Sequence, residues 1–221
     1  MGQAKQRGSR EERVAQAQAR QQEELRAPAV PDPAALLRTL AVARRLDPFF
    51  ERLTTPESID DQVRQFARRL SDAEPMYLDC QPEPWSRQSC CDLNVDKFIE
   101  THGGQKLCGY RIWYAAPQYI EGERHAVWTD GSDIRDVSFV DTGEDRIVFV
   151  PDDRAFDDAP AKVRFAFDEV NMQAIEAFES LESIVPRTTM PDQEAWNTFP
   201  TYEAWLAGER MPNQIPHFGP I

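Results

Sequence analysis

Hydrophobic positions between residues 32 and 73 recur with the spacing of an α-helix, which predicts two helices. The first is predicted to begin at Pro33 with Asp32 as its N-cap, because proline suits the first helical position and aspartate accepts a hydrogen bond there. The residues it is expected to bury are Leu36, Leu37, Leu40 and Leu46. The second is predicted to begin at 55–57, and its apolar face consists of Ile59, Val63, Phe66 and Leu70. We expect these two helices to form a packing layer that contributes no catalytic residue.

From residue 106 onward the pattern changes to the alternation of apolar and polar positions that is typical of β-strands. The predicted strands are 106–115, 123–129, 135–140 and 146–150, with a short edge strand at 76–78. Turn residues at 130–133 and 142–143 separate consecutive strands. Because the four strands follow one another without an intervening helix, they predict an antiparallel meander and an α+β fold class.

Helices are also predicted on both sides of this sheet region. One runs from Cys91 to the glycine pair at 103–104, and its buried side consists of Val95, Phe98 and Ile99. Another covers 168–181, with Met172, Ile175 and Phe178 directed inward. The last segment is rich in large apolar residues and is expected to wrap onto the domain as a short helix and an extended tail: Trp196, Phe199, Tyr202, Trp205 and Leu206.

The chain carries a net charge of −13, and this charge is unevenly distributed. Residues 1–26 carry +2 and the remainder −15, so we predict a mobile basic arm over 1–30 and one acidic α+β domain over 31–221. That domain is divided into a helical layer (32–73), a catalytic-like core (76–151) and C-terminal helices with a wrapping tail (160–221). The acidity argues against general binding to nucleic-acid phosphates, and the arm is interpreted as a solubilising segment.

The sequence also bears on compartment and cofactors. No apolar run approaches the roughly 20 residues needed to span a bilayer, and the N-terminus lacks the apolar stretch of a signal peptide. We therefore expect no membrane association and a cytoplasmic location, where the four cysteines stay reduced. The sequence has no C-x2-C pair, and adjacent Cys90 and Cys91 would chelate one ion awkwardly, so no metal or other cofactor is expected.

Three residues suggest the chemistry of a thiol enzyme. Cys91 stands at a predicted helix N-terminus, where unpaired N–H groups favour a thiolate. His125 and Asp136 lie on the two following strands, and a four-residue turn at 130–133 makes them diagonal neighbours on one face, about 7–8 Å apart at Cα. Each residue also has a plain structural interpretation, as a buried thiol, a half-buried histidine and an aspartate at a turn.

The runs that carry these residues resemble a family of uncharacterised bacterial and phage proteins. The runs that carry the resemblance are Cys-Asp-Leu-Asn-Val, a Gly-Gly pair, Gly-Tyr-Arg-Ile-Trp, Ile-Glu-Gly-Glu-Arg-His-Ala-Val-Trp and an Asp in the next strand, over roughly residues 76–152. The resemblance marks Cys91, Asn94, Glu121, Glu123, His125 and Asp136. Tyr110 and Tyr114 depart from the pattern, which usually has tryptophan and an acidic residue at these positions.

Together, the residues and the resemblance predict a papain-like or transglutaminase-like domain. Cys91 is the expected nucleophile, His125 its base and Asp136 the group that orients the base. Asn94 and backbone N–H groups at the helix start are expected to stabilise an oxyanion. Glu121, Glu123 and Trp113 are expected to contact an acyl substrate, which is a peptide, an isopeptide or another amide.

Two other functions fit the same sequence. One is a non-catalytic interaction protein that keeps the fold and binds a protein partner through its acidic surface or its aromatic C-terminal segment. The other is a metal-dependent hydrolase that uses Glu121, Glu123 and His125. Whether the Cys91 sulfur lies near the His125 ring separates the thiol enzyme from the interaction protein.

Overall fold

The computed structural model describes residues 32–185 and 190–211, so the predicted arm over 1–30 lies outside the described residues. The helices are α1 Pro33–Ala43, α2 Asp47–Phe50, α3 Asp61–Leu70, α4 Cys91–His102, α5 Glu169–Ile184, α6 Asp192–Thr198 and α7 Tyr202–Leu206. The strands are β1 Met76–Asp79, β2 Gln105–Ala115, β3 Tyr119–Thr129, β4 Ile134–Arg135, β5 Arg146–Pro151 and β6 Lys162–Ala166. In this part of the chain, no helix is long and apolar enough to cross a membrane. The fold is α+β, as predicted.

The six strands form one antiparallel sheet in the order β1-β5-β2-β3-β4, with β6 also paired to β3. The predicted meander is therefore wrong, because β5 pairs with β2 and not with the strand before it. The predicted strand over 135–140 is also wrong after its first residue. Val137 is fully buried, and its carbonyl accepts a hydrogen bond from Ser86 Oγ at 2.6 Å, so here the backbone is bound to a loop and not to a sheet partner.

The two ends of the strand order meet. Cys80, just after β1, forms an isolated parallel bridge with Asp136, just after β4. The Gln81 N–H donates to the Asp136 carbonyl at 2.8 Å. The sheet therefore curls until its edges join, and Asp136 lies at that seam.

Helix α1 begins as predicted, with the Asp32 side chain accepting from the Ala34 N–H. Its predicted burial is wrong, because Leu37 is 62% exposed and Leu36 and Leu40 are also exposed. The helix packs mainly against one neighbour, α5, which cannot cover all of its apolar positions. Burial begins only at Ala43, the last residue of α1, and continues at Leu46 in the 3₁₀ turn that follows, where the prediction was right.

Helix α3 begins later than predicted, at Asp61, because the Asp60 side chain caps it by accepting from the Val63 N–H at 2.9 Å. Thr55, in the predicted start, instead donates its hydroxyl to the Arg146 carbonyl at 3.1 Å. The predicted apolar face is confirmed: Val63, Phe66 and Leu70 are buried and Ile59 packs beside them. This face covers the side of the sheet that carries Tyr110 and Ile112.

Helix α4 and the C-terminal segment enclose the region around Cys91. Helix α4 ends at Gly103, whose φ of 69° favours glycine, and Val95 and Phe98 are buried as predicted. The C-terminal segment packs on the domain as two short helices, with Tyr202 and Trp205 against Phe139. Helix α5 also turns its predicted residues inward, with Ile175 buried and Met172 and Phe178 packed in the same cluster.

Candidate active site

Three separate elements bring Cys91, His125 and Asp136 together. Cys91 is the first residue of α4, His125 lies in the middle of β3, and Asp136 follows β4. His125 Nε2 is 3.0 Å from Asp136 Oδ2, and the two side chains are 2% and 1% exposed. The hairpin has the predicted register, with Thr129 opposite Ile134, and this places both residues on one face.

Cys91 and His125 line the same cavity, which has a volume of about 160 Å³. Burial alone lowers the pKa of His125, but the negative charge of Asp136, the neighbouring Cys91 and the hydrogen bond to Asp136 raise it to about 10. Because Nε2 is bound to Asp136, Nδ1 is the ring nitrogen left for the Cys91 sulfur. The ring is therefore protonated at neutral pH, beside a sulfur whose thiolate it can stabilise.

The other three thiols differ from Cys91 in their surroundings. Burial raises the pKa of Cys90 to about 12, and the nearby negative charge of Asp92 adds to this effect. Burial and the Asp136 charge raise the pKa of Cys80 far above its ordinary value, and burial also raises the pKa of Cys108. These three side chains therefore remain protonated at neutral pH, and none of them lines the cavity with His125.

Asp136 is held from several directions. Its Oδ1 accepts from the Ser138 N–H at 2.9 Å, and the Cys80 sulfur lies 3.9 Å from Oδ2. Its backbone is fixed by the seam of the sheet. This carboxylate can therefore orient the imidazole without moving itself.

Asn94 does not suit the oxyanion role predicted for it. Its side chain is fully buried, and its Oδ1 accepts from the Arg87 N–H at 2.7 Å. Its Nδ2 donates to the Arg87 carbonyl at 2.9 Å and to Ser138 Oγ at 3.2 Å, which uses both amide hydrogens. Asn94 instead ties the loop before α4 to the segment after β4.

Gln88 is a candidate that sequence reasoning missed. It is buried, lines the cavity with Cys91, and donates one Nε2 hydrogen to Asp141 at 3.3 Å. Its second Nε2 hydrogen has no protein acceptor among the described residues. The next residue, Ser89, has a φ of 55°, a left-handed conformation that is unusual for serine. This turn brings the Gln88 amide and the start of α4 to the same cavity, so both can donate to an oxyanion.

Glu123 and Trp113 form one hydrogen-bonded unit with Arg111. Glu123 Oε2 accepts from Arg111 Nη2 at 2.6 Å and from Trp113 Nε1 at 2.9 Å. Burial raises the pKa of Glu123, but the Arg111 charge and then that of Lys162 outweigh it and lower the pKa to about 2. Glu123 and Arg111 line the cavity, whereas Trp113 supports them from behind, with its ring 4.5 Å from the guanidinium carbon.

Glu121 was predicted to contact substrate, but it does not line this cavity. It is 3% exposed, accepts from Tyr119 Oη at 2.7 Å and pairs with Lys162 at 2.8 Å. The metal-hydrolase alternative is not favoured by these contacts. Each of its three proposed ligands, Glu121, Glu123 and His125, is turned to a partner of its own, and the described residues contain no cluster of three metal-ligating side chains.

No protein family model, curated protein or solved structure matches this chain, so the function is argued from the site itself.

Proposed function

We propose that the protein is a cysteine-nucleophile hydrolase or acyltransferase that acts on small acyl substrates of the amide or ester type. The observation that carries the proposal is the buried His125–Asp136 pair, with Nε2 and Oδ2 3.0 Å apart, beside Cys91 in one cavity. A histidine on the surface would not require a buried carboxylate partner, and a buried structural cysteine would not require a cavity shared with a histidine. The papain-like or transglutaminase-like relationship belongs to the same proposal, supported by a helix-borne cysteine followed by a histidine and an aspartate from an antiparallel sheet.

The reaction proceeds through a thioester. The Cys91 thiolate attacks the carbonyl carbon, a C–S bond forms, and the carbonyl electrons move onto oxygen, which accepts from the Cys91 N–H and Gln88 Nε2. The tetrahedral intermediate collapses, and the leaving group takes a proton from His125 as the old acyl bond breaks. Neutral His125 then removes a proton from water or an amine, which attacks the thioester carbon. The new C–O or C–N bond forms, the C–S bond breaks, and Cys91 leaves as a thiolate beside protonated His125, which restores the starting pair.

Asp136 contributes by holding the imidazole and balancing its charge. The charged ring is buried, and without the carboxylate it would lose its proton. Catalysis needs a free thiol at Cys91, which suits a reducing compartment such as the cytosol.

The test uses 4-nitrophenyl acetate, whose acetyl group fits the cavity. We expect wild-type protein to release a burst of 4-nitrophenolate followed by steady turnover, with acetyl-Cys91 detected by peptide mass spectrometry. Cys91→Ala should abolish the burst, and His125→Ala should slow both phases. Cys90→Ala is the matched control and should keep both phases, because Cys90 does not line the cavity.

An equal rate in wild type and Cys91→Ala would overturn the proposal. The non-catalytic alternative, in which the protein binds a partner without turnover, would then be preferred. In the described part of the C-terminal segment, Trp196, Tyr202 and Trp205 pack against other aromatic residues of the domain. The acidic surface of the protein would therefore be the first place to seek that partner.

A further inference from the structure

Two arginines line the cavity, and they differ in how their donors are used. Arg124 makes five hydrogen bonds. Its acceptors are the carbonyls of Gly109, Arg154, Ala155 and Phe156 and the carboxylate of Asp152. A guanidinium has five N–H donors. Arg124 is therefore saturated, and its role is to hold the chain around residues 152–156 against the sheet.

Arg111 makes one protein hydrogen bond in the described structure, from Nη2 to Glu123 at 2.6 Å. Its Nε is buried without a partner. Its Nη1 also has no protein acceptor among the described residues, and it is not among the buried unpaired atoms. The side chain keeps 15% of its surface exposed, on the cavity. One edge of the guanidinium is thus held by Glu123, while Nη1 is left for a ligand.

The position of Arg111 relative to the nucleophile follows from the strand register. In the β2–β3 pair, Arg111 is opposite Glu123 and Gly109 is opposite His125. Opposite residues project from the same face. Arg111 and His125 therefore stand side by side on one face of the sheet, and both line the cavity with Cys91.

We infer that Arg111 binds a carboxylate of the substrate, so that the acyl substrate of this site carries an anionic group close to its reacting carbonyl. The inference rests on the proposed function and names its substrate class. Arginine suits this role because its planar fork stays charged and donates in parallel to carboxylate oxygens. The stacked Trp113 and the Glu123 carboxylate hold that fork in place.

The cavity has room for a carboxylate beside the reacting carbonyl. Its volume of about 160 Å³ is enough for several waters. Such a space admits a carboxylate within a few bonds of the carbonyl, as in a C-terminal residue or a small amido acid. Three carboxylates also line the cavity, namely Asp92, Glu123 and Asp141. Glu123 is paired with Arg111, Asp141 accepts from Gln88, and burial raises the pKa of Asp92, so Arg111 offers the free charged donor of this lining.

The experiment compares two alkylating agents of nearly equal size, iodoacetate and iodoacetamide, in their reaction with Cys91. Rates are read by peptide mass spectrometry, and the ratio of the two rates is compared with the ratio for free cysteine. We expect wild-type protein to favour iodoacetate more than free cysteine does, and iodoacetate inactivation to saturate. Arg111→Gln should lower the ratio about tenfold, since a hydrogen bond to a charged group is lost.

The ratio of the two alkylation rates distinguishes a failure of this inference from a failure of the proposed function. A change in Cys91 thiolate content alters both rates and leaves the ratio unchanged. Arg111→Lys, which keeps the charge and most of the packing, should weaken iodoacetate saturation and spare the iodoacetamide rate. Lys106→Gln is the control for distant charge, because Lys106 pairs with Asp96 outside the cavity.

Equal ratios in wild type and Arg111→Gln would overturn the inference, even if Cys91 is fully reactive. If the ratio falls in Arg111→Gln, the two sources of carboxylate are separated by protection of Cys91 from iodoacetamide. Protection by an acetylated dipeptide with a free C-terminus, and not by its amide, supports a chain terminus. Protection by succinate, and not by succinamide, supports a small acid.

Discussion

Replacing Asp136 by asparagine tests the charge pair at the centre of the site. Asparagine keeps the shape of the side chain but removes the charge that keeps His125 protonated. The pKa of His125 is about 10 in the folded protein, against 6.5 for an unperturbed histidine. At 1.36 kcal/mol per pH unit this difference corresponds to about 5 kcal/mol, to which Cys91 contributes as well as Asp136. Breaking a buried ion pair by removing one partner costs about 3–5 kcal/mol, in agreement with that value.

The pH dependence gives the sign of the effect. Because folding raises the pKa of His125, its contribution to stability is complete below pH 6.5 and is lost as the pH rises to about 10. We therefore expect Asp136→Asn to lower the free energy of unfolding by about 3–5 kcal/mol at pH 6 and by about 1 kcal/mol or less at pH 10. Urea unfolding at a series of pH values, followed by tryptophan fluorescence, measures this gap, which is the difference in free energy of unfolding between wild type and Asp136→Asn.

The comparison with wild type at each pH cancels most of the titration of other groups, including the buried thiols. Asp130→Asn is the matched control, because Asp130 is an exposed turn carboxylate whose side chain bonds to Ser132 and the backbone of Asp133. Its effect should not change between pH 6 and pH 10. A gap for Asp136→Asn that stays constant over the same range would refute the charge pair.

Three further outcomes follow from the site and the sheet. Limiting iodoacetamide at neutral pH should modify Cys91 before Cys90, because burial holds the pKa of Cys90 at about 12; peptide mass spectrometry that found Cys90 modified first would contradict this. Gln88→Ala should slow acylation by 4-nitrophenyl acetate about 10²–10³-fold if its amide donates to the oxyanion, and an unchanged burst rate would remove it from the mechanism. Gly109→Ala should lower the melting temperature, because its Cβ would lie 2.2 Å from the Val150 carbonyl and overpacking costs about 1–3 kcal/mol; an unchanged melt would show that β2 and β5 can separate there.

The alignment of His125 with Asp136 could be predicted because it depends on local information. The turn at 130–133 is short, its residue types are specific, and a strand has a period of two, so the register follows. Arg111 was missed because the predicted start of β3 was wrong. Strand β3 begins at Tyr119 and not at 123, so the sequence did not show that Arg111 faces Glu123 across the β2–β3 pair.

Other errors concern contacts between distant parts of the chain. The apolar positions of α1 follow a helical period, but the sequence does not show that the helix packs mainly against one neighbour, α5. Leu37 was therefore expected to be buried. The alternation over 135–140 suggested a strand, yet burial of Val137 comes from helix α4 and the loop before it. Gln88 lies in a loop whose left-handed turn at Ser89 carries no glycine to mark it.

The seam between Cys80 and Asp136 has a consequence for how inhibition is interpreted. The Cys80 sulfur is 3.9 Å from the same carboxylate oxygen that His125 contacts, so any reagent that adds bulk to this thiol would press the acid away from the base. Loss of turnover after thiol modification would then report damage at the joint of the sheet as readily as a blocked nucleophile. A Cys80→Ser background removes this contribution from the measured inactivation.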